Sequence, residues 1–315
     1  MYFKKILALF ACALIAFSSI DASCFNGNPN FAQATAKNWM SYLPNSALVT
    51  SVSIPGTHDS GTSRVTACTE GYAKCQSKSI SDQLDSGIRY LDLRISDKGL
   101  INHGGVACWK SFFKKLYIED VESYISDFLK KNPKETVILQ IKSEDCKKGK
   151  DCANIVNKTL AKNSLYYKGK KNIEQLTMGD VRGKFIIFSR QSGINNAYNY
   201  TSWDDDVSFD KLWIDSKEGY LQDKYKDTIS NKKNTINKFY TKVWQDSDSV
   251  KKPVINFTSF TQLPITLNFL YPSVNDYMSS FIDRNNNKKF GFVLMDNPGN
   301  SLIQKIYKTN YNRNF

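Results

Sequence analysis

The sequence contains only two histidines, His58 and His103, and each lies in a short polar segment that follows an apolar run. The first segment, residues 53–62, reads Ser-Ile-Pro-Gly-Thr-His-Asp-Ser-Gly-Thr, and the second, residues 101–105, reads Ile-Asn-His-Gly-Gly. Imidazole is the side chain best suited to exchange a proton near neutral pH. A single histidine is more often structural than catalytic, but the two contexts together predict one acid–base site.

A third polar group lies between the histidines, in the run Arg-Tyr-Leu-Asp-Leu-Arg-Ile at residues 89–95. This run has a strand pattern, and the alternation of side chains along a strand places Asp92 and Arg94 on the same face. The histidines, Asp92 and Arg94 therefore belong to one stretch of the chain that could build a single polar site.

The pattern of the whole chain predicts an α/β fold, a single, irregular (β/α)8-type barrel. Apolar, β-branched runs alternate with helix-period stretches, which favours a parallel sheet closed on itself. The predicted strands are residues 49–54, 89–93, 100–102, 136–141, 184–188, 220–222, 253–257 and 290–295. The predicted helices are residues 118–131, 153–162, 227–244, 275–284 and 301–307, and residues 191–210 are predicted to form an ordered loop at the barrel mouth.

Polar side chains follow seven of the predicted strands. Barrel enzymes build their active sites at the carboxyl ends of the strands, so these side chains are expected to meet there. They are His58, Arg94, His103, Lys142, Arg190, Asp223 and Asp296.

Cleavage of a phosphodiester by an internal hydroxyl needs a base, an acid and a cation that stabilises the developing charge. His58 would be the base, and Asp296 is the best candidate for the carboxylate that holds its tautomer. Asp59 and His103 would form the acid couple on the leaving-group side. Arg94 would stabilise a phosphate oxygen through its forked donors, which lysine lacks.

Eight short motifs, distributed over residues 35–308, resemble the bacterial-type phosphatidylinositol-specific phospholipases C. None of them carries the resemblance alone. They are Ile-Pro-Gly-Thr-His-Asp-Ser-Gly (54–61), Leu-Asp-Leu-Arg (91–94), Asn-His-Gly (102–104), Asn-Pro-Lys-Glu-Thr-Val-Ile (132–138), Arg-Gly-Lys-Phe-Ile-Ile (182–187), Gln-Asp-Lys-Tyr-Lys (222–226), Ile-Asn-Phe-Thr-Ser (255–259) and Leu-Met-Asp-Asn (294–297).

The resemblance implies cleavage of phosphatidylinositol, or of glycosylphosphatidylinositol anchors, to diacylglycerol and inositol 1,2-cyclic phosphate, without a cofactor or metal. It places the five catalytic candidates named above on the family's catalytic positions. It also implies that four further residues bind the inositol head group, namely Lys142, Arg190, Asp223 and Tyr225. For Lys142 and Arg190 the alternative is a salt bridge at the barrel mouth. Asp92 is expected to accept a hydrogen bond that orients Arg94.

The first 22 residues have the pattern of a signal peptide, with Lys4 and Lys5 before an apolar stretch that is short for a membrane span. Residues 23–315 would then be one exported catalytic barrel, expected to be a monomer. Of the seven cysteines, Cys12 would leave with the signal, and the remaining six suggest disulfides. Spacing favours the pairs Cys68–Cys75 and Cys146–Cys152, which leaves Cys24 for Cys108, and a zinc site is the alternative.

The formal net charge of +13 favours anionic partners, either a membrane surface or nucleic acid. No nucleic-acid motif accompanies the scattered lysines, so we expect a membrane surface and no nucleic acid. Residues 260–271 are unusually apolar for a segment after a strand, which predicts either a membrane contact or a buried connection. The resemblance also implies an interfacial tryptophan in residues 68–75, where this chain has Tyr72 and no tryptophan, which argues against tight adsorption.

Two other functions fit parts of the pattern. A metal-dependent glycerophosphodiesterase or sphingomyelinase D-like barrel would need a carboxylate-bound divalent ion near the histidines, where Arg94 lies instead. An inactive barrel that binds phosphoinositides or glycans would be expected to lack one member of the catalytic set, and none is missing.

Overall fold

The computed structural model describes residues 29–144, 149–169, 171–203, 205–207 and 210–315. The predicted signal peptide, Cys24 and Cys146 lie outside these residues. Within them the strands, in chain order, are β1 (Ile54–Thr57), β2 (Tyr90–Ile95), β3 (Asn102–His103), β4 (Val106–Ala107), β5 (Trp109–Ser111), β6 (Lys114–Lys115), β7 (Val137–Ser143), β8 (Phe185–Ser189), β9 (Tyr198–Ser202), β10 (Asp210–Ile214), β11 (Lys217–Gln222), β12 (Val254–Phe257) and β13 (Phe292–Met295).

Nine of these described strands close into one barrel, in the order β1-β13-β12-β11-β10-β9-β8-β7-β2, with β2 pairing back to β1. Neighbouring strands are parallel except around β10, which runs antiparallel to both β9 and β11. The predicted α/β barrel is therefore confirmed, with one antiparallel strand added to the expected parallel set. The remaining strands form two small hairpins, β3–β4 and β5–β6, outside the barrel.

The helices of the described residues cover the outside of the barrel. The third helix, α3, has the predicted bounds, because its apolar residues repeat at helical spacing and its last turn carries Lys130 and Lys131, which suit the helix dipole. The helices are α1 (Glu70–Ala73), α2 (Ile80–Asp85), α3 (Ile118–Lys131), α4 (Gly149–Leu160), α5 (Met178–Val181), α6 (Ile229–Gln245), α7 (Leu267–Arg284) and α8 (Asn300–Lys308).

Three local predictions differ from the structure. Residues 191–210 are not only a loop, since they contain β9, whose Tyr198 and Tyr200 are buried among otherwise polar neighbours. Residues 100–102 do not form a barrel strand, because β3 pairs only with β4. Residues 49–54 are mostly a 3-10 turn, and the barrel strand begins at Ile54.

The apolar segment 260–271 is divided between a loop and the first turn of α7. Phe260, Leu267 and Leu270 are buried, whereas Leu263 and Phe269 are exposed. The buried connection is therefore confirmed for the first three residues, and membrane contact by the two exposed residues stays a prediction. Among the described residues, no helix is both long and apolar enough to cross a membrane.

Candidate active site

The turn after β1 gives the site its first two side chains, His58 and Asp59. A hydrogen bond of 2.7 Å between the hydroxyls of Thr57 and Ser60 closes this turn, and Thr62 Oγ1 donates to the Asp59 carbonyl at 2.7 Å. Asp59 has a φ of +42°, in the left-handed region that few non-glycine residues adopt. The turn buries the Asp59 carboxylate between the two histidines while His58 stays half-buried at the cavity.

His58 contacts charged groups through both ring nitrogens. Its Nδ1 lies 2.9 Å from Asp296 Oδ1 at the end of β13. Its Nε2 lies 3.2 Å from Arg94 Nη2 and 3.0 Å from Asp59 Oδ2. When Nε2 is unprotonated it can accept from Arg94, and when it is protonated it can donate to Asp59. The arrangement therefore accommodates both states of a general base.

The balance of charge around His58 favours its protonated form. Burial lowers the pKa of His58, but the carboxylates of Asp59 and Asp296 outweigh burial and raise this pKa well above its usual value. The same carboxylates would stabilise an imidazolium formed when His58 takes a proton from a substrate hydroxyl.

The Asp59 carboxylate, which contacts His58, also contacts His103 and Arg94. Its Oδ2 lies 3.2 Å from His103 Nε2, and its Oδ1 lies 2.8 Å from Arg94 Nε. Burial would raise the pKa of Asp59, but the charges of Arg94, His103 and His58 hold this pKa far below the usual range. For His103, burial lowers the pKa and Asp59 raises it, with a net result of about 9. His103, rather than Asp59, therefore holds a proton at neutral pH.

Asp92 has a different role from the one predicted for it. Its carboxylate accepts hydrogen bonds from the Asp59 backbone N–H at 3.3 Å and from Gln140 Nε2 at 2.7 Å, not from Arg94. Gln140 Oε1 in turn accepts from the Tyr90 hydroxyl at 2.6 Å. The prediction was wrong because strand alternation gives the face of a side chain but not its partner. Asp92 supports the strained Asp59 turn from inside the barrel, and only its charge acts on Arg94, raising the pKa of that guanidinium.

The predicted head-group residues line the same cavity as the catalytic candidates. Of the nine predicted site residues, eight line this cavity, and the ninth, Asp59, is buried beside it. Arg190 lies over the ring of Trp203, 3.8 Å from its centroid, and Trp203 Nε1 donates to Asp223 Oδ2 at 3.0 Å. Arg190 and Asp223 therefore form one assembly around the indole ring. Burial raises the pKa of Asp223, and the charge of Arg190 opposes this rise.

The cavity is also lined by Lys142 and Tyr225. The Tyr225 hydroxyl donates to the Asp205 carboxylate at 2.7 Å, which fixes the ring at the cavity wall. Burial lowers the pKa of Lys142, and the charges of Arg94 and Arg190 lower it further. The cavity thus combines cations that suit a phosphate with a planar ring that suits the apolar face of a sugar.

Sequence reasoning missed several residues that build this cavity. Trp203 and Asp205 fall in the stretch predicted as a loop, and the alternating tyrosines of β9 are the signal that could have located them. Gln76 donates to the backbone carbonyls of His58 at 2.7 Å and Met295 at 2.9 Å, joining β1 to β13. No local motif marks Gln76, because its role depends on two strands distant in sequence.

The predicted Cys68–Cys75 disulfide is wrong, since both cysteines are free. The two cysteines lie on either side of short helical turns and in different environments. Cys68 is exposed, whereas Cys75 is buried with its sulfur 3.9 Å from His103 Nδ1. Cys108 is also free and buried, so its predicted pairing with Cys24 is wrong as well. The Cys146–Cys152 pair stays a prediction, because Cys146 lies outside the described residues.

Comparison with known proteins agrees with this geometry. Residues 52–191 match the family described as phosphatidylinositol-specific phospholipase C, X domain. The 1-phosphatidylinositol phosphodiesterase of Listeria monocytogenes is 28% identical over 98% of this chain and 98% of its own length. The protein of the same name from Staphylococcus aureus is 26% identical over 84% of this chain and 88% of its own.

Solved structures show the same fold. The phosphatidylinositol-specific phospholipase C of L. monocytogenes superposes with a TM-score of 0.70 at 26% identity, covering 88% of this chain and 99% of its own. An S. aureus phosphatidylinositol-specific phospholipase C superposes with a TM-score of 0.75 at 22% identity, covering 88% and 98%. Residues 52–191 thus carry the X-domain match, and over most of its length the chain is similar in sequence and in barrel fold to the bacterial phosphatidylinositol-specific phospholipases C.

Proposed function

We propose that this protein cleaves phosphatidylinositol to diacylglycerol and inositol 1,2-cyclic phosphate. One observation carries the proposal: a single carboxylate, Asp59, lies 3.0 Å from His58 Nε2 and 3.2 Å from His103 Nε2. One carboxylate therefore holds both imidazoles at the cavity, with ring centroids 6.1 Å apart, close enough for one bound phosphodiester to contact both the base and the acid.

The reaction uses the fraction of the enzyme in which His58 is neutral and His103 is protonated. His58 Nε2 takes the proton of the inositol 2-hydroxyl, whose oxygen attacks phosphorus and forms the cyclic ester. The bond from phosphorus to the diacylglycerol oxygen breaks, and His103 gives its proton to that oxygen. Arg94 donates to a non-bridging phosphate oxygen and stabilises its charge in the transition state. Slow hydrolysis of the cyclic ester would use the same groups with water as the nucleophile.

Head-group recognition is assigned to Lys142, Arg190, Asp223 and Tyr225. The two cations and the carboxylate can bind sugar hydroxyls, and the Tyr225 ring, fixed by Asp205, can pack against the ring face. The same pocket would accept the inositol of a glycosylphosphatidylinositol anchor, because these four residues would contact only the head group that the two substrates share.

The metal-dependent alternative is disfavoured by how Asp59 is used. Within the described residues, His58, Asp59 and Cys75 are close enough to approach one metal ion. However, the Arg94 guanidinium already pairs with Asp59 at 2.8 Å, and its permanent charge opposes a divalent cation. We therefore propose catalysis without a metal.

Export completes the proposal. Residues 1–22 would act as a signal peptide, and the mature chain would be a secreted monomer that works on membranes containing phosphatidylinositol. The Lys4–Lys5 start and the apolar stretch that follows support this location, and a Cys146–Cys152 disulfide would be compatible with it.

The test is an assay on phosphatidylinositol vesicles in excess EGTA, with phosphorus NMR of the water-soluble product. Inositol 1,2-cyclic phosphate should appear at the rate seen without chelator. A requirement for calcium would favour the metal-dependent phosphodiesterase, and head-group binding without turnover would favour the inactive binding module.

A further inference from the structure

The hairpin β5–β6 has two of the most exposed apolar side chains among the described residues. Phe112 and Phe113 form its tip and are 81% and 93% exposed. Isolated exposed apolar residues are common on protein surfaces, but two adjacent phenylalanines at one tip form an exposed apolar patch of the kind that marks a contact surface.

The hairpin is held firmly at its base. The Trp109 backbone N–H donates to the Arg64 carbonyl at 2.9 Å, and the Leu116 N–H donates to the Cys108 carbonyl at 2.9 Å. The Arg64 guanidinium lies over the Phe112 ring, 4.5 Å from its centroid. The phenylalanines are therefore presented by ordered backbone rather than by a loose loop.

The hairpin lies at the same end of the barrel as the cavity. It belongs to the connection between β2 and α3, which leaves the barrel at the carboxyl end of β2. The same connection carries His103, which lines the cavity. The exposed Leu263 and Phe269 follow β12 and lie at this end as well. Two separate segments thus present exposed apolar side chains at the end of the barrel that carries the cavity.

Basic residues accompany the aromatic tip. Lys114 and Lys115 are exposed directly after the phenylalanines, and Lys110 pairs with Asp120 at 2.5 Å. Aromatic side chains next to lysines are typical of proteins that lie at a bilayer surface, with the rings below the head groups and the cations at lipid phosphates. The charge of the tip matches an anionic membrane better than an apolar protein partner.

We propose that the β5–β6 hairpin is a membrane-contact element, in which Phe112 and Phe113 enter an anionic bilayer and Lys114 and Lys115 bind lipid phosphates. The cavity mouth would then face the membrane. This inference rests on the proposed function only for the identity of the substrate, because membrane binding can be measured without turnover.

The experiment measures binding to vesicles of phosphatidylcholine and phosphatidylglycerol, which contain no phosphatidylinositol. The double variant F112S/F113S should bind at least tenfold more weakly than the wild type, because it loses the two rings that would be buried in the bilayer. The variant K114Q/K115Q should bind roughly fivefold more weakly per lysine at low salt, and this difference should shrink at high salt.

The chain offers matched controls at the opposite end of the barrel. Phe315 is 40% exposed and lies under Arg313, which is 5.2 Å from the ring centroid and donates to the Ser51 carbonyl before β1. F315S therefore removes an exposed phenylalanine with the same type of cationic neighbour. K130Q/K131Q removes two exposed lysines from the end of α3.

Hydrolysis of soluble inositol cyclic phosphate separates membrane contact from damage to the fold. F112S/F113S should retain at least half of the wild-type rate of soluble hydrolysis. The single variant F113S, which disturbs the fold least, should also bind vesicles more weakly and retain soluble hydrolysis. The proposal is wrong if F112S/F113S binds vesicles as well as F315S does, or if soluble hydrolysis falls as much as binding. If hairpin-dependent binding persists in a protein that never cleaves phosphatidylinositol, the proposed function fails and the membrane contact stands.

Discussion

At the scale of single residues, the two histidines share Asp59 but differ in the partner of the other ring nitrogen. His58 Nδ1 faces the carboxylate of Asp296, whereas His103 Nδ1 lies 3.1 Å from the backbone carbonyl of Ala73. A carboxylate stabilises the imidazolium that a base becomes, and a neutral carbonyl mainly fixes the ring orientation. This difference supports His58 as the base and His103 as the acid.

Removing either imidazole tests these roles. His58→Ala and His103→Ala should each lower turnover by a factor of about 10² to 10⁴, the usual contribution of general acid–base catalysis. Binding of inositol phosphate, measured by calorimetry, should change far less, because other residues contact the head group. Near-normal turnover in His58→Ala would overturn the mechanism.

The pH profile tests the charges around His58. The free enzyme needs neutral His58, so kcat/KM should fall as pH drops below the raised pKa of His58. Asp296→Asn removes a negative charge, which lowers that pKa, and the acidic limb should move to lower pH while kcat also falls. The basic limb should stay near pH 9, where His103 loses its proton.

Asp283→Asn is the control for the pH profile, because its carboxylate pairs with Lys305 on the surface. This variant should leave both limbs in place. An acidic limb that does not move in Asp296→Asn would show that His58 is not the group that titrates there.

The role of Arg94 is tested by a substitution to lysine, which keeps the positive charge and removes the forked N–H donors of the guanidinium. Arg94→Lys cannot contact Asp59, His58 and a phosphate oxygen together, so kcat/KM should fall by an amount equivalent to about 3–4 kcal/mol, as for the loss of one preorganised oxyanion donor. Excess EGTA should not change wild-type activity. A variant within tenfold of the wild type would contradict the transition-state role of Arg94.

The sequence was sufficient to place the histidines and Arg94 at one cavity, because each follows an apolar run and falls in a recognisable motif. For Lys142 and Arg190, which lie outside those motifs, the sequence offered only their positions after apolar runs. It was not sufficient for Gln76, Asp92 and Cys75. Their partners lie on other strands or turns, and no local pattern records which side chains meet across a barrel.

At the scale of elements, turns and connections position the site more than the strands themselves do. Helix α3 was predictable because its apolar spacing and terminal charges agree. Strand β9 was not, because its buried tyrosines lie in a polar context that resembles a loop. The antiparallel direction of β10 could not be predicted, because side chains alternate along a strand in the same way whichever direction the strand runs.

The segment 260–271 gives a prediction at this scale. Leu263 and Phe269 are 77% and 76% exposed, whereas Leu267 is buried and lines the cavity. The variant L263S/F269S should weaken vesicle binding several-fold and leave hydrolysis of soluble inositol cyclic phosphate within about twofold, since only exposed apolar area is lost. Leu267→Ser should reduce both vesicle binding and hydrolysis of soluble inositol cyclic phosphate. If L263S/F269S loses as much soluble hydrolysis as Leu267→Ser does, the whole segment belongs to the core.

At the scale of the molecule, the two ends of the barrel have different roles. The end opposite the cavity holds a buried ion pair, in which Arg89 Nη2 lies 2.9 Å from Glu135 Oε2 and both side chains are almost fully buried. Arg89 also donates to the carbonyls of Leu84 and Ile88. This end therefore contributes to stability, while the other end carries the chemistry.

Breaking that pair should destabilise the fold without changing the site. Glu135→Gln leaves the Arg89 charge buried without its partner, which should lower the free energy of unfolding by about 3–5 kcal/mol in urea. The exposed pair of Lys37 and Asp85 is the comparison, and Lys37→Gln should cost at most about 1 kcal/mol. Equal effects of the two substitutions would show that Arg89 and Glu135 do not anchor this end.

The Phe112–Phe113 tip and the exposed side chains of segment 260–271 lie at the end of the barrel that carries the cavity. A protein attached by that face would meet new lipid through lateral diffusion in the bilayer, without returning to water between turnovers. Diacylglycerol would stay in the membrane and the cyclic phosphate would leave to the aqueous side. The rate would then follow the mole fraction of phosphatidylinositol in the surface, so diluting it with inert lipid should slow the enzyme even at constant bulk concentration.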